Sequence, residues 1–251
     1  MTGDDINDRT LLRLTGADRL AFLQGLVTND LNNLDAGLIY AALLTPQGKY
    51  LADFFLAAEP EAILLDVKTN LADALLRRLS MYRLRADVAI TPTALQVRRG
   101  LGPMPDGAFA DPRHPALGWR HYSAGKDPQQ PIDWDAIRVA HAIPETGIEL
   151  IADETYILEA GFERLHGVDF RKGCYVGQEV TARMKHKTDL RKGLALVEVK
   201  GAALPGTTIL AAGKDAGTLF TRSGDRALAY LRFDRAEGVM TAGDATLRRI
   251  S

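Results

Sequence analysis

The chain reads as an α+β protein, and three observations carry that reading. Over residues 11–97, helical and strand-like apolar patterns are mixed without strict βαβ alternation. Thr45-Pro46-Gln47-Gly48-Lys49 places Pro and Gly where a tight hairpin turn takes them, so neighbouring strands are expected to pair antiparallel. From Leu190 onward, five short strand patterns separated by tight turns fill about sixty residues, the texture of a small barrel or sandwich.

Taken in order, Leu11–Leu14 is a short apolar strand. Thr15-Gly16-Ala17 turns, and Asp18 is placed to cap a helix through Thr28 with Leu20, Phe22, Leu23, Leu26 and Val27 as its apolar stripe. Thr28-Asn29-Asp30 either stops that helix or contacts a ligand, and a helix stop is the simpler role. Leu38–Leu44 and Tyr50–Ala57 are the arms of the hairpin, and Ala62–Val67 is a third strand. A helix starting at Thr69 or Asn70 carries Leu71, Ala74, Leu75 and Leu79. Val88–Ile90 and Leu95–Val97 are further strands. Gly100–Pro131, rich in Gly, Pro and Asp, reads as a long connection with a short strand at Trp119–Tyr122. Trp134–Ala142 and Asp153–Leu165 are predicted helices, the second weakened by Gly161. The late strands are Leu194–Val199, Thr207–Leu210, Gly217–Thr221, Ala227–Phe233 and Ala245–Ile250.

The 251 residues allow one or two domains and a substantial core. A net charge of −1 supplies no global basic field for nucleic acid or anionic lipid. A single cysteine excludes an intramolecular disulfide and suits a reducing compartment. No apolar run has the length of a membrane span, and the first eight residues lack an apolar signal core, so the expectation is a cytoplasmic protein.

The chemistry concentrates at Lys172-Gly173-Cys174-Tyr175-Val176-Gly177-Gln178-Glu179. It holds the sole cysteine, preceded by Arg171 and Lys172 and bracketed by two glycines. A helix pattern follows, with Val180 and Met184 on one face and Arg183 about one turn in. Neighbouring cations and a helix start favour thiolate over thiol, which suits a reactive or ligand-binding cysteine. A small buried hydrophobe is the plain alternative. Asp53 also stands out, because a carboxylate in an apolar strand is either turned to solvent or buried for a purpose; alternation favours solvent.

Other chemistries lack their signatures. There is no Gly-x-Gly-x-x-Gly and no phosphate-binding Walker loop. His114, His121, His141, His166 and His186 show no tight metal spacing. One cysteine cannot hold an iron–sulfur cluster alone, although a cluster shared across a dimer or with a partner remains open. A cysteine hydrolase would need a histidine beside Cys174; His166 and His186 are near in sequence.

The stretch 172–179 resembles the signature of the YgfZ family, folate-binding relatives of the glycine-cleavage T-protein. Residues 20–30 resemble that family's first helix with its Thr-Asn-Asp end, and Pro46-Gln47-Gly48-Lys49 with Asp53 resembles the hairpin that follows. Leu158-Glu159-Ala160-Gly161 and Gly167-Val168-Asp169-Phe170 resemble the approach to the signature, so the likeness covers most of the chain and is weakest over 100–135. It implies a T-protein-like folate-binding fold. Residues 1–190 would form two interleaved α+β lobes with a junction near 100–135, and 191–251 a small C-terminal β-barrel. It also implies tetrahydrofolate or a derivative as ligand, and a role in assembling or repairing iron–sulfur proteins. The tRNA-modifying label that the family has carried is then an indirect effect through an iron–sulfur enzyme, with no direct nucleic-acid contact.

Residue by residue, the resemblance makes Cys174 the nucleophile or transient ligand, with Lys172 as its electrostatic support and Asp53 as a surviving carboxylate. Gly173, Tyr175, Gly177, Gln178, Glu179, Arg183, Asn29 and Glu159 fall to the folate side, and no resident metal ligand is implied. T-proteins carry paired aspartates where this chain has Ala52-Asp53, which counts against aminomethyl transfer. Three functions follow: a folate-dependent iron–sulfur factor working through Cys174; a tetrahydrofolate-dependent aminomethyl or demethylating transferase; and a non-catalytic folate-binding adaptor. The expected partners are iron–sulfur carrier or client proteins and the small-molecule folate, with no membrane.

Overall fold

A computed structural model describes residues 2–6, 8–125, 131–186 and 190–250. Compactness divides the chain into two units, one formed by Met1–Ile132 with Glu163–Glu179 and the other by Asp133–Phe162 with Val180–Ser251. The first unit contains β1 (Thr2–Ile6), β2 (Arg9–Thr15), α1 (Arg19–Gln24), β3 (Ile39–Leu44), β4 (Tyr50–Glu59), β5 (Ala62–Lys68), α2 (Thr69–Arg83), β6 (Ala89–Pro92), β7 (Gln96–Leu101), β8 (Phe109–Ala110) and β9 (Trp119–Ser123). They form two antiparallel sheets, ordered β3-β4-β5-β2-β6 and β1-β7-β9-β8.

The larger sheet is covered on both faces. On one, Leu12, Leu14, Leu43, Phe54, Leu56 and Leu65 meet Leu23 of α1 and Leu75 and Leu79 of α2. On the other, the aromatic ring of Phe55 lies beneath the guanidinium groups of Arg120, Arg113 and Arg9, at 3.8, 4.8 and 5.6 Å from its centroid. Their charges are matched by two buried carboxylates. Asp66 takes Arg9 at 2.5 Å and Arg120 at 2.9 Å. Asp111 takes Arg113 at 2.8 Å and Arg120 at 3.1 Å. Burial pushes the carboxyl of Asp111 up, but Arg113 and Arg120 together outweigh it and hold it at about 2.

This two-sided cover corrects the outward placement of Asp53. The middle of β4, Ala52–Ala57, is buried without a break, so alternation there separates one interior layer from another rather than core from water. Asp53 is 4% exposed and accepts hydrogen bonds from Tyr50 Oη at 2.6 Å and Tyr40 Oη at 3.0 Å. The segment 100–131 is likewise more than a connection. It holds β9 at the strand expected around Trp119–Tyr122, and adds β8 and the network residues Asp111, Arg113 and Arg120, although 126–130 with Pro128 lie outside the described residues.

Three of the expected helices differ from expectation. The first is shorter, ending at Gln24, and Asp18 does not cap it; its carboxylate accepts the backbone N–H of Asp87 at 2.8 Å. In the second, α2, Ala72 is buried with Leu75 and Leu79, while Ala74, expected on that face, is exposed. Asp153–Leu165 forms successive turns rather than a helix. Asp153 and Gly161 sit at φ 63° and 80°, in the left-handed region that an α-helix excludes.

The second unit holds α3 (Trp134–Ala140), the greater part of α4 (Gln178–His186), β10 (Lys192–Lys200), β11 (Thr208–Ala211), β12 (Lys214–Ser223), β13 (Arg226–Arg232), β14 (Val239–Ala242) and β15 (Ala245–Arg249). Asp133 caps α3 by accepting the N–H of Ala136 at 2.9 Å. The strands close into a barrel in the order β10-β13-β12-β11-β14-β15. Five were expected; β14, with four residues beside Gly238 and Gly243, carries too short a pattern to stand out. Val197, Ile209, Leu219, Leu231, Met240 and Leu247 fill the interior. Arg138 of α3 is buried on Glu149 at 3.1 Å, which also takes the hydroxyl of Thr221.

Asp66→Ala leaves Arg9 and Arg120 buried without their shared carboxylate. The expected cost is about 3–5 kcal/mol, read as a lower urea midpoint for the first unit. An unchanged midpoint would show that the charge layer contributes nothing.

Candidate functional site

The signature segment lies in the first unit and is fixed at several points. Lys172 is 7% exposed, and its Nζ donates to the carbonyl oxygens of Gln24 at 2.8 Å, Val27 at 2.5 Å and Asn29 at 2.9 Å. These carbonyls sit at the end of α1 and in the turn beyond it, where helical partners run out. Burial pulls the ammonium down to about 8, against the upward pull of Asp30 and Asp169. The same Nζ lies 5.2 Å from the ring centroid of Tyr175, which is buried.

Gly177 is the next fixed point. Its φ is +84°, and a Cβ there would stand 2.6 Å from the carbonyl oxygen of Thr45 in the hairpin. Only glycine fits both the backbone angle and the close approach. Gln178 N–H closes the turn onto Tyr175 O at 3.2 Å and α4 begins. Between these anchors Gly173 and Cys174 are exposed. Cys174 is therefore displayed, not packed, on an irregular segment ahead of the helix. Glu179 and Arg183, in the first and last turns of α4, are exposed and Gln178 is half-buried.

The Thr28-Asn29-Asp30 turn is the surface on which this segment is built. Thr28 is fully buried; its hydroxyl donates to Gly167 O at 2.6 Å and accepts Ala42 N–H at 2.9 Å. Asn29 Nδ2 donates to Tyr40 O at 2.8 Å and His166 O at 2.7 Å. Asp169 N–H reaches Thr28 O at 3.1 Å. The turn thus joins β3, the approach to the signature and the signature itself. Because α1 already ends at Gln24, Thr28 serves as a junction rather than as the expected helix stop, and Asn29 also lines a cleft of about 420 Å³ with Glu163, His166, Asp169, Phe170 and Arg171.

Asp53 does not share the exposed segment. Its carboxylate is enclosed by Tyr40 and Tyr50, and burial followed by the charge of Asp53 keeps the Tyr40 hydroxyl protonated. Glu159 belongs to the second unit, where Tyr230 Oη donates to its carboxylate and its backbone oxygen accepts Leu194 N–H at 2.7 Å. The sequence reading missed Thr28 as a junction and the whole Arg9–Asp66–Arg120–Asp111–Arg113 layer. Asp66 inside the apolar run Ala62–Val67 was the available signal, parallel to that of Asp53. Among the described residues, no group of three or more His, Cys, Asp and Glu side chains could hold a metal ion.

Residues 191–250 match the C-terminal β-barrel domain of CAF17. The iron-sulfur cluster assembly factor IBA57, mitochondrial, of Homo sapiens is 31% identical over 277 residues, covering 93% of this chain and 78% of its own. The Mus musculus protein of the same name is 30% identical with the same coverage. The Mycosarcoma maydis IBA57 homolog is 28% identical, and there the chain spans 57% of the relative's length. The glycine cleavage system aminomethyltransferase T of Bartonella henselae superposes with a TM-score of 0.81 over 99% of this chain and 84% of its own, at 13% identity. The T-protein-like fold is thereby established. These named IBA57 relatives are mitochondrial, which overturns the cytoplasmic expectation. A single cysteine suits a reducing compartment and does not distinguish one such compartment from another.

Gly177→Ala combines a left-handed φ with a collision at Thr45 O. It is expected to cost more than the roughly 1–2 kcal/mol of the backbone angle alone, seen as a lower melting temperature. Wild-type melting would mean that the hairpin yields freely at this point.

Proposed function

This chain belongs to the family of the iron–sulfur cluster assembly factor IBA57, and we propose that it serves the assembly or repair of iron–sulfur proteins through Cys174. The observation that carries this reading is the sole cysteine of the chain, exposed on a segment pinned by Lys172 on one side and Gly177 on the other. A thiol so displayed can bind iron or attack a sulfur centre without unfolding its surroundings. The cluster is cargo here. One thiolate falls short of the four ligands a cluster usually takes, so a carrier or client protein supplies the rest. A change in tRNA modification would follow indirectly, through a client enzyme. The net charge of −1 supplies no global basic field for nucleic acid, and no helix among the described residues is long and apolar enough to cross a membrane.

A reduced folate is the small-molecule ligand in this reading, supported by the YgfZ-like signature and the T-protein-like fold. The cleft beside Asn29 has suitable chemistry. Phe170 offers a ring for stacking, Glu163 and Asp169 offer acceptors for the amino and ring N–H groups of a pterin, and Arg171 offers a cation for the glutamate tail. When bound, tetrahydrofolate supplies a reduced pterin able to carry one-carbon units. Tyr175 and Gly177, also assigned to folate by resemblance, are buried in the signature's own packing and shape the loop.

The direct test uses cells lacking this protein and measures the activity of a [4Fe–4S] enzyme. Wild type is expected to restore it, and Cys174→Ala to leave it at the level of the deletion. Equal rescue by both would remove the thiol from the mechanism. For the ligand, calorimetry with tetrahydrofolate is expected to show binding that Phe170→Ala weakens by about 0.5–1.5 kcal/mol. Binding that ignores this change would move the folate site elsewhere.

A further inference from the structure

We infer that Lys172 is a positioning residue: it sets where Cys174 is presented by clamping the signature segment to the end of α1, and acts on the thiol through position rather than through charge. A lysine ammonium has three protons, and here all three have carbonyl acceptors, on Gln24, Val27 and Asn29, at 2.5–2.9 Å. No donor is left for a thiolate two residues away. The acceptors are 143–148 residues earlier in the chain, so the clamp closes a contact that local structure could not make. The side chain is buried, and its stem and head are fixed with Tyr175 beneath the charge. Gly177 supplies the complementary anchor against the hairpin. Positions 172, 175 and 177 are thus held inside, and the chain has no choice but to carry Gly173 and Cys174 outward.

The inference rests on Cys174 as the working group, but its test does not use iron–sulfur activity, so the two can fail separately. The full chain is prepared as wild type, Lys172→Met and Lys172→Arg, with thermal melting to confirm folding. Two quantities are read: the pH midpoint of Cys174 alkylation by iodoacetamide, and amide hydrogen exchange across 167–177. A clamp predicts an unchanged alkylation midpoint. It also predicts exchange faster on the order of tenfold or more in both variants, since bonds to a charged donor are lost. Arginine does not rescue, because its planar, diverging donors cannot converge on three carbonyls around one atom. A midpoint raised in Lys172→Met and restored in Lys172→Arg would overturn the inference in favour of a charge effect. Wild-type exchange in both variants would show that no clamp exists. Should Lys172→Met fail to fold, Lys172→Arg decides alone, because it keeps the charge and changes only the geometry; wild-type exchange in it would overturn the clamp.

Discussion

A buried ammonium has to be solvated by something, and in this protein the solvent is the exposed end of a short helix. The requirement acts in both directions. The carbonyls that α1 leaves over would be costly to bury alone, as would the cation. Together they satisfy each other and join residues 24–29 to residue 172. The Thr28 hydroxyl and the Asn29 amide extend that junction to β3 and to residues 166–167. The display of the cysteine depends on this polar junction more than on anything in the cysteine's own surroundings.

The same economy appears between the two sheets of the first unit. An interface of arginines and aspartates around an aromatic ring buries three guanidinium groups with matching carboxylates. Apolar packing could serve there with equal or greater stability. What the charged layer adds is register: each guanidinium fork accepts few arrangements of its carboxylate, so the sheets cannot slide without breaking several bonds. Asp53 lies in this interior with its two tyrosines, where a carboxylate has a structural use that needs no substrate.

Much of the fold was legible because its elements announce themselves locally. The hairpin around Pro46 and Gly48, the apolar strands and the late series of short strands all follow from periodicity and turn residues. The failures share a cause. Asp53 was assigned by alternation, which fails where both faces of a strand are covered. Asp153–Leu165 has helical spacing of apolar residues, yet left-handed positions divide it into turns. The loop-like composition of 100–131 hid β8, and it hid the role of Arg120 in the strand expected at Trp119–Tyr122, because its partner Asp66 is 54 residues away in sequence. The site was legible as a motif, through its cysteine and glycines. The role of Lys172 was not, because its three acceptors are backbone atoms, which carry no residue code.

The interleaved path of the chain sets an order of events during synthesis. The first unit leaves off at Ile132 and resumes at Glu163, and its final stretch ends at Glu179. A growing chain that has emerged through Ile132 owns both sheets but no lysine to close the end of α1. Those carbonyls stay open to water while residues 133–162, which belong to the other unit, are made. The thiol therefore arrives with the piece that completes the body it sits on. A nascent chain that has not yet reached Glu179 lacks the complete body on which the thiol is displayed.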